Sequence, residues 1–207
     1  MGQYYSLLVI DGHDNTKTLT PCPFGYGFKL MEHSWIGNSF VNAAYAMIQN
    51  NPCRVAWIGD YADDPYDRKH DLYAEALPHY AFTKYYKIVW SENEQDALQP
   101  EDFTEEQLSL VNRKTRGTYL INHSRESYLD LGAYIQCSTA KKGPDKGWCV
   151  NPLPLLTACG NGRGGGDFSE DAVGIDNVGL WAFNELEYSD KTPQGYLEES
   201  FRFMLSE

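Results

Sequence analysis

Apolar residues in this chain come in short runs, and most runs end in a cluster of Gly, Pro, Asn or Asp. Tyr4–Ile10 is rich in aromatic and β-branched residues, stops at Asp11-Gly12-His13-Asp14-Asn15 and resumes at Thr16–Thr20. That is the pattern of a β-hairpin. Thr118–His123 and Ser127–Leu131 flank Ser124-Arg125-Glu126 in the same way and predict a second hairpin. Further strands are predicted at Phe28–Met31, Val55–Ile58, Tyr85–Trp90 and Val178–Phe183, with a terminal strand where Phe201, Phe203 and Leu205 alternate.

Helical signals are fewer. Phe40, Ala43, Ala44, Met47 and Ile48 recur at helical spacing behind Asn38 and Ser39, either of which can cap, and Asn50-Asn51-Pro52 ends the run. Thr104-Glu105-Glu106-Gln107 is a capping box, in which each side chain reaches the other residue's orphan backbone N–H, and predicts a helix to about Arg113. Pro154 is placed to begin a helical turn over Leu155–Ala158 that Gly160 ends, and His70–Ala76 reads as a short helix before Pro78. Hairpins with two or three interspersed helices predict an α+β fold around a mainly antiparallel sheet.

The 207 residues, 42% hydrophobic and 14% aromatic, suit a single globular domain over residues 1–207 with a sizeable core. No run of 18 apolar residues occurs, and the opening MGQYYSLLVIDGHDN has no basic region before its short apolar stretch. Neither a membrane span nor a signal peptide is expected, which points to the cytoplasm. The same opening matches the loose N-myristoylation pattern, although a tyrosine-rich first strand accounts for it more simply. The five cysteines are an odd number, widely spaced, without a Cys-x-x-Cys pair, so reduced thiols are expected rather than a disulfide framework or a zinc site.

Charge is uneven. The net charge of −12 conceals a segment, residues 107–147, with seven basic and three acidic residues, whereas residues 164–207 carry ten acidic and two basic. Nonspecific nucleic-acid binding is disfavoured, because it rests on neutralising phosphates with Lys and Arg. An acidic surface suits a basic protein partner, and the basic segment suits a local anion site.

The chemical motif that stands out is Gly160-Asn161-Gly162-Arg163-Gly164-Gly165-Gly166-Asp167. It formally contains a dinucleotide fingerprint, but that fingerprint places a pyrophosphate at the start of a helix, and here the sequence turns acidic and is interrupted by Gly174 and Gly179. No Lys-Ser or Lys-Thr pair follows, which removes a Walker loop. What survives is a nest of backbone N–H groups with Arg163 as a bidentate fork, to which His123 and Arg125 of the second hairpin are candidate additions. The competing reading is a close backbone crossing with Arg163 paired to a nearby Asp. Asp60, Asp63 and Asp64 follow an apolar strand and are candidate ligands for a hard cation, without the calcium-loop pattern. The five histidines show no catalytic spacing and read as surface or satisfied core residues. The many tyrosines suit either strand packing or a partner-binding face.

MGQYY, LMEHSWIGNSFVNA, VAWIGDYAD, YLINHS and PLPLLTACGNGRGGGDF together resemble a family of small bacterial and phage-encoded proteins. The resemblance implies a bacterial or phage setting and assigns no residue a role. Two functions are therefore expected: a binding protein holding a small anionic ligand, such as a nucleotide or phosphate ester, at the glycine-rich loop, or an acidic interaction or inhibitor protein occupying a basic surface of a host protein. A metal-dependent hydrolase built on Asp60, Asp63 and Asp64 is a third.

Overall fold

The first strand, β1, Tyr5–Ile10, buries all six of its residues, so it must be covered on both faces. In the computed structural model, which describes residues 3–62, 79–90, 97–112, 117–141, 146–160, 168 and 172–204, that is what happens. The turn after β1 is organised by Asp11, whose carboxylate accepts from the backbone N–H groups of His13 and Asn15. It returns the chain into β2, Thr16–Leu19, antiparallel to β1. On the other side β1 pairs antiparallel with β3, Cys53–Gly59, in the register Tyr5↔Gly59 to Ile10↔Arg54.

Further along the chain lie β4 (Tyr119–Asn122), β5 (Ser127–Asp130), β6 (Ala158–Cys159), β7 (Glu185–Ser189) and β8 (Leu197–Glu198). The sheet runs β2-β1-β3-β7-β4-β5-β8, with β6 beside β3. Its pairings are antiparallel except β3 with β6 and β5 with β8. Both predicted hairpins are present, and the α+β architecture is as expected.

Six α-helical segments occur among the described residues: α1 (Leu30–His33), α2 (Ser39–Met47), α3 (His79–Trp90), α4 (Glu105–Leu108), α5 (Leu131–Ser138) and α6 (Pro152–Leu156). No described helix is long and apolar enough to cross a membrane. Asn38 caps α2 by accepting from Val41 N–H, and Phe40 from this helix meets Trp57 of β3 with ring centroids 5.8 Å apart. Tyr5, Leu7, Val9, Val55 and Trp57 therefore form the sheet side of the larger core. Leu8, Ile10, Ala56 and Ile58 point the other way, into a second core closed by Phe82 and Tyr85 of α3 together with Phe183. Alternation along two adjacent strands thus feeds two cores at once.

Several expectations are corrected. Tyr85–Trp90 is not a strand but the second half of α3. Its β-type composition misleads, whereas Phe82, Tyr85, Tyr86 and Val89, which pack into the second core, stand at i, i+3, i+4 and i+7. Val178–Phe183 is a succession of turns; Trp181, Ala182 and Phe183 are apolar because they are buried, and Phe183 takes a left-handed φ of 60° that no strand accommodates. Phe201 and Phe203 alternate without joining a ladder, since both point into aromatic contacts, with Trp181 at 5.3 Å and Phe168 at 5.9 Å. Leu30 and Met31 belong to α1 instead of a strand. The Thr104–Gln107 capping box forms as read, yet α4 ends at Leu108. The turn expected over Leu155–Ala158 lies two to three residues earlier, with Pro152 in its first turn and Asn151 as its cap. The helix expected at His70–Ala76 lies outside the described residues.

Candidate functional site at the His123 pocket

The β4–β5 hairpin turns through His123-Ser124-Arg125-Glu126, and its last residue takes a left-handed φ of 50°. Asn122 holds the turn from below: its amide donates to Asn184 Oδ1 at 2.9 Å, and its Oδ1 accepts from Arg125 N–H at 3.1 Å. The turn is also tied to β7, because His123 N–H donates to Glu185 O and Glu185 N–H donates to Ser124 Oγ, both at 2.9 Å. His123 therefore projects from a frame of paired backbone.

Two groups from distant parts of the chain meet its ring. Glu187 on β7, paired with Ile121 of β4, brings Oε2 to 2.9 Å from His123 Nε2. The Tyr196 hydroxyl lies 3.1 Å from Nδ1. An ionised carboxylate only accepts, so Nε2–H is the donor to Glu187; in the neutral ring Nδ1 then accepts from Tyr196 O–H. The result is a relay, Tyr196 to His123 to Glu187, in which the imidazole can take a proton on one side while the carboxylate stabilises the cation on the other. Both His123 and Glu187 are part-buried.

Beside this relay opens a cavity of ≈ 570 Å³, within the range of small-molecule sites. His123, Glu187, Ser189, Asp190, Lys191 and Thr192 line it. Its rim is ordered by Ser189 Oγ, which donates to Asn50 Oδ1 at 3.2 Å and accepts from Lys191 N–H at 3.4 Å. Arg125 is not among the lining residues; its Nε lies 3.8 Å from Glu199.

Gly160 and Asp60 are brought to a different place. β3 and β6 run parallel, so Gly59, the last residue of β3, and Gly160, the residue after β6, come side by side. The buried Gln3 side chain wedges against both: a Cβ on Gly59 would stand 2.3 Å from Gln3 Nε2, and one on Gly160 would stand 2.3 Å from the Tyr5 hydroxyl and 2.4 Å from Gln3 Oε1. Tyr5 O–H donates to that same Oε1 at 2.8 Å. At both glycines the atoms that crowd a Cβ belong to side chains, not to the crossing backbone that the sequence suggested at Gly160. The Asp60 carboxylate accepts from Tyr4 N–H at 2.9 Å, while its backbone carbonyl accepts from the Tyr86 hydroxyl. His123 is level with Arg54 through Glu185, five residues short of Gly59. That is roughly 16 Å of strand, so His123 and Arg125 are not joined to Gly160 or Asp60.

Gly162, Arg163, Gly164, Gly165, Gly166 and Asp167, and the candidate metal ligands Asp63 and Asp64, lie outside the described residues. Among the described residues no three His, Cys, Asp or Glu side chains are grouped to hold a metal ion.

Three residues around His123 went unrecognised in the sequence: Glu187 and Lys191, which line the pocket, and Tyr196, which meets the ring. Glu187 had a signal. In Glu185-Leu186-Glu187-Tyr188 polar and buried positions alternate with period two, the mark of a half-buried strand. Lys191 and Tyr196 sit in a segment of turn residues and carry none. No family model matches this chain, and neither a curated protein nor a solved structure is significantly similar to it.

Proposed function

We propose that this protein binds a small anionic ligand of the phosphate-ester class in the pocket beside His123. One observation carries the reading: a cavity of nucleotide or sugar-phosphate size is lined by both His123 and Lys191. Glu187 is engaged by His123 through the 2.9 Å contact to Nε2, which ties its carboxylate to the wall of the cavity. Calorimetry with inorganic phosphate, sugar phosphates and nucleotides tests the reading. Lys191→Ala should weaken the best ligand about tenfold, the loss of one charge-assisted contact, and His123→Gln should weaken it by removing the bonds to Glu187 and Tyr196 that shape the wall. Equal affinity in wild type and both variants would sink it.

A second reading, an acidic surface occupying a basic partner protein, is favoured by edge strand β8. Leu197 there is 74% exposed, with Glu198 and Glu199 following it. An apolar anchor amid carboxylates suits a basic partner. Capture of such a partner should fall steeply with salt and be lost in Leu197→Asp; capture unchanged in both counts against it.

A further inference from the structure

Trp148 leaves 49% of its surface in solvent although it is one of the chain's largest apolar side chains. The strap 149–151 is already fastened to the α1–α2 connection by Ile36 N–H to Cys149 O, Asn151 N–H to Ser34 O and the Trp35–Val150 bridge. Trp148 lies at the end of this strap and meets Trp35 edge to face, with ring centroids 4.5 Å apart and planes at 83°. The two indoles make a right-angled corner. Tyr26 adds another aromatic wall to a pocket of ≈ 270 Å³, and Gly37, at φ 89°, lines it without a side chain. The lining includes no charged side chain, so the pocket selects for a flat apolar face.

Two lysines lie close to Trp148 through the backbone pairing of its strap. Trp148 pairs with Ala140 through Ala140 N–H to Trp148 O at 2.9 Å, and Gly147 N–H closes the same hairpin on Ala140 O at 2.8 Å. Lys141 directly follows Ala140 and Lys146 directly precedes Gly147; both are exposed. They belong to the basic segment of an otherwise acidic chain. The nearest carboxylate along the chain from Tyr26, Glu32, is turned onto the Lys29 backbone N–H. An aromatic corner with ammonium groups outside it is complementary to a planar heteroaromatic ring that carries an anionic group, and repels a cation that would otherwise suit such a corner.

We infer that the Tyr26–Trp35–Trp148 corner is a second ligand site, distinct from the His123 pocket, that stacks the ring of an aromatic anion of mononucleotide type while Lys141 and Lys146 hold its charge. The side-chain N–H resonances of the five tryptophans report on it separately in a two-dimensional nitrogen–proton spectrum, with AMP as the probe. AMP should shift Trp35 and Trp148 saturably, with a dissociation constant of about 1 mM or tighter, and leave Trp57 and Trp181 in place. Adenosine should bind about tenfold more weakly, and inorganic phosphate alone should shift neither resonance. The double variant Lys141→Ala/Lys146→Ala should weaken AMP several-fold without changing adenosine, Trp148→Ala should abolish the Trp35 shift, and His123→Gln should leave both shifts intact. The inference is overturned if AMP gives no saturable shift at Trp35 and Trp148, if tetramethylammonium shifts them in its place, or if the lysine variant binds AMP unchanged.

Discussion

The indole N–H of Trp57 donates to Nε2 of His33 across 3.1 Å, and the other ring nitrogen of His33 lies 3.0 Å from the carbonyl of Gly27. His33 is fully buried, and Nε2 must be bare to accept from the indole, so Nδ1 carries the proton and the ring is neutral. Burial holds the imidazole down at about 4, partly opposed by the Gly27 carbonyl. Between pH 6.5 and about 4 the unfolded chain binds a proton at this position that the folded chain refuses, so stability falls as pH falls through that window. The loss amounts to about 3 kcal/mol and is complete below the folded value. Urea unfolding at stepped pH should show this slope in the wild type and a flatter profile in His33→Gln; parallel profiles would remove His33 as the cause.

Gln3 and the glycines at the carboxyl ends of β3 and β6 make a steric prediction. A methyl at position 59 would collide with Gln3 Nε2, Cδ and Cγ, all within 2.8 Å. Gly59→Ala should cost about 1–3 kcal/mol, as overpacking of a filled site does. In a Gln3→Ala background the same change should cost at least about 1 kcal/mol less, because the wedge is gone. A double-mutant cycle with no coupling would show that the space is limited by something other than Gln3.

The thiols divide by exposure. Cys22 and Cys137 are exposed, whereas Cys53, Cys149 and Cys159 are buried. Burial raises the Cys53 thiol above its ordinary range, helped by the charges of Asp11 and Glu185. An aromatic disulfide reagent should therefore titrate two thiols promptly in the folded protein and all five in denaturant. Prompt reaction of three or more in native buffer contradicts this burial pattern.

Local signals were legible wherever partners lie within a few residues of each other. The Asp11 turn, the Asn38 cap, the Thr104–Gln107 box and both hairpins all form between near neighbours. Length of window decided α3: over Tyr85–Trp90 alone the aromatics look like a strand, and only with Phe82 included does the helical stripe emerge. Apolar content misled at Val178–Phe183 and Phe201–Phe203, because burial selects apolar residues whether or not the backbone joins a ladder.

The sequence by itself determined the α+β class, the hairpins, the caps and the acidic balance, since periodicity, capping and turn chemistry act over a single turn or strand pair. Tertiary structure alone decided that Glu187 and Tyr196, 64 and 73 residues from His123, close on its two ring nitrogens. It also set His123 apart from Gly160 and brought Trp35 against Trp148. These relations depend on the order of strands across the sheet, with β7 inserted between β3 and β4. That order follows from how the whole set of apolar faces is buried at once, which no local stretch of sequence encodes.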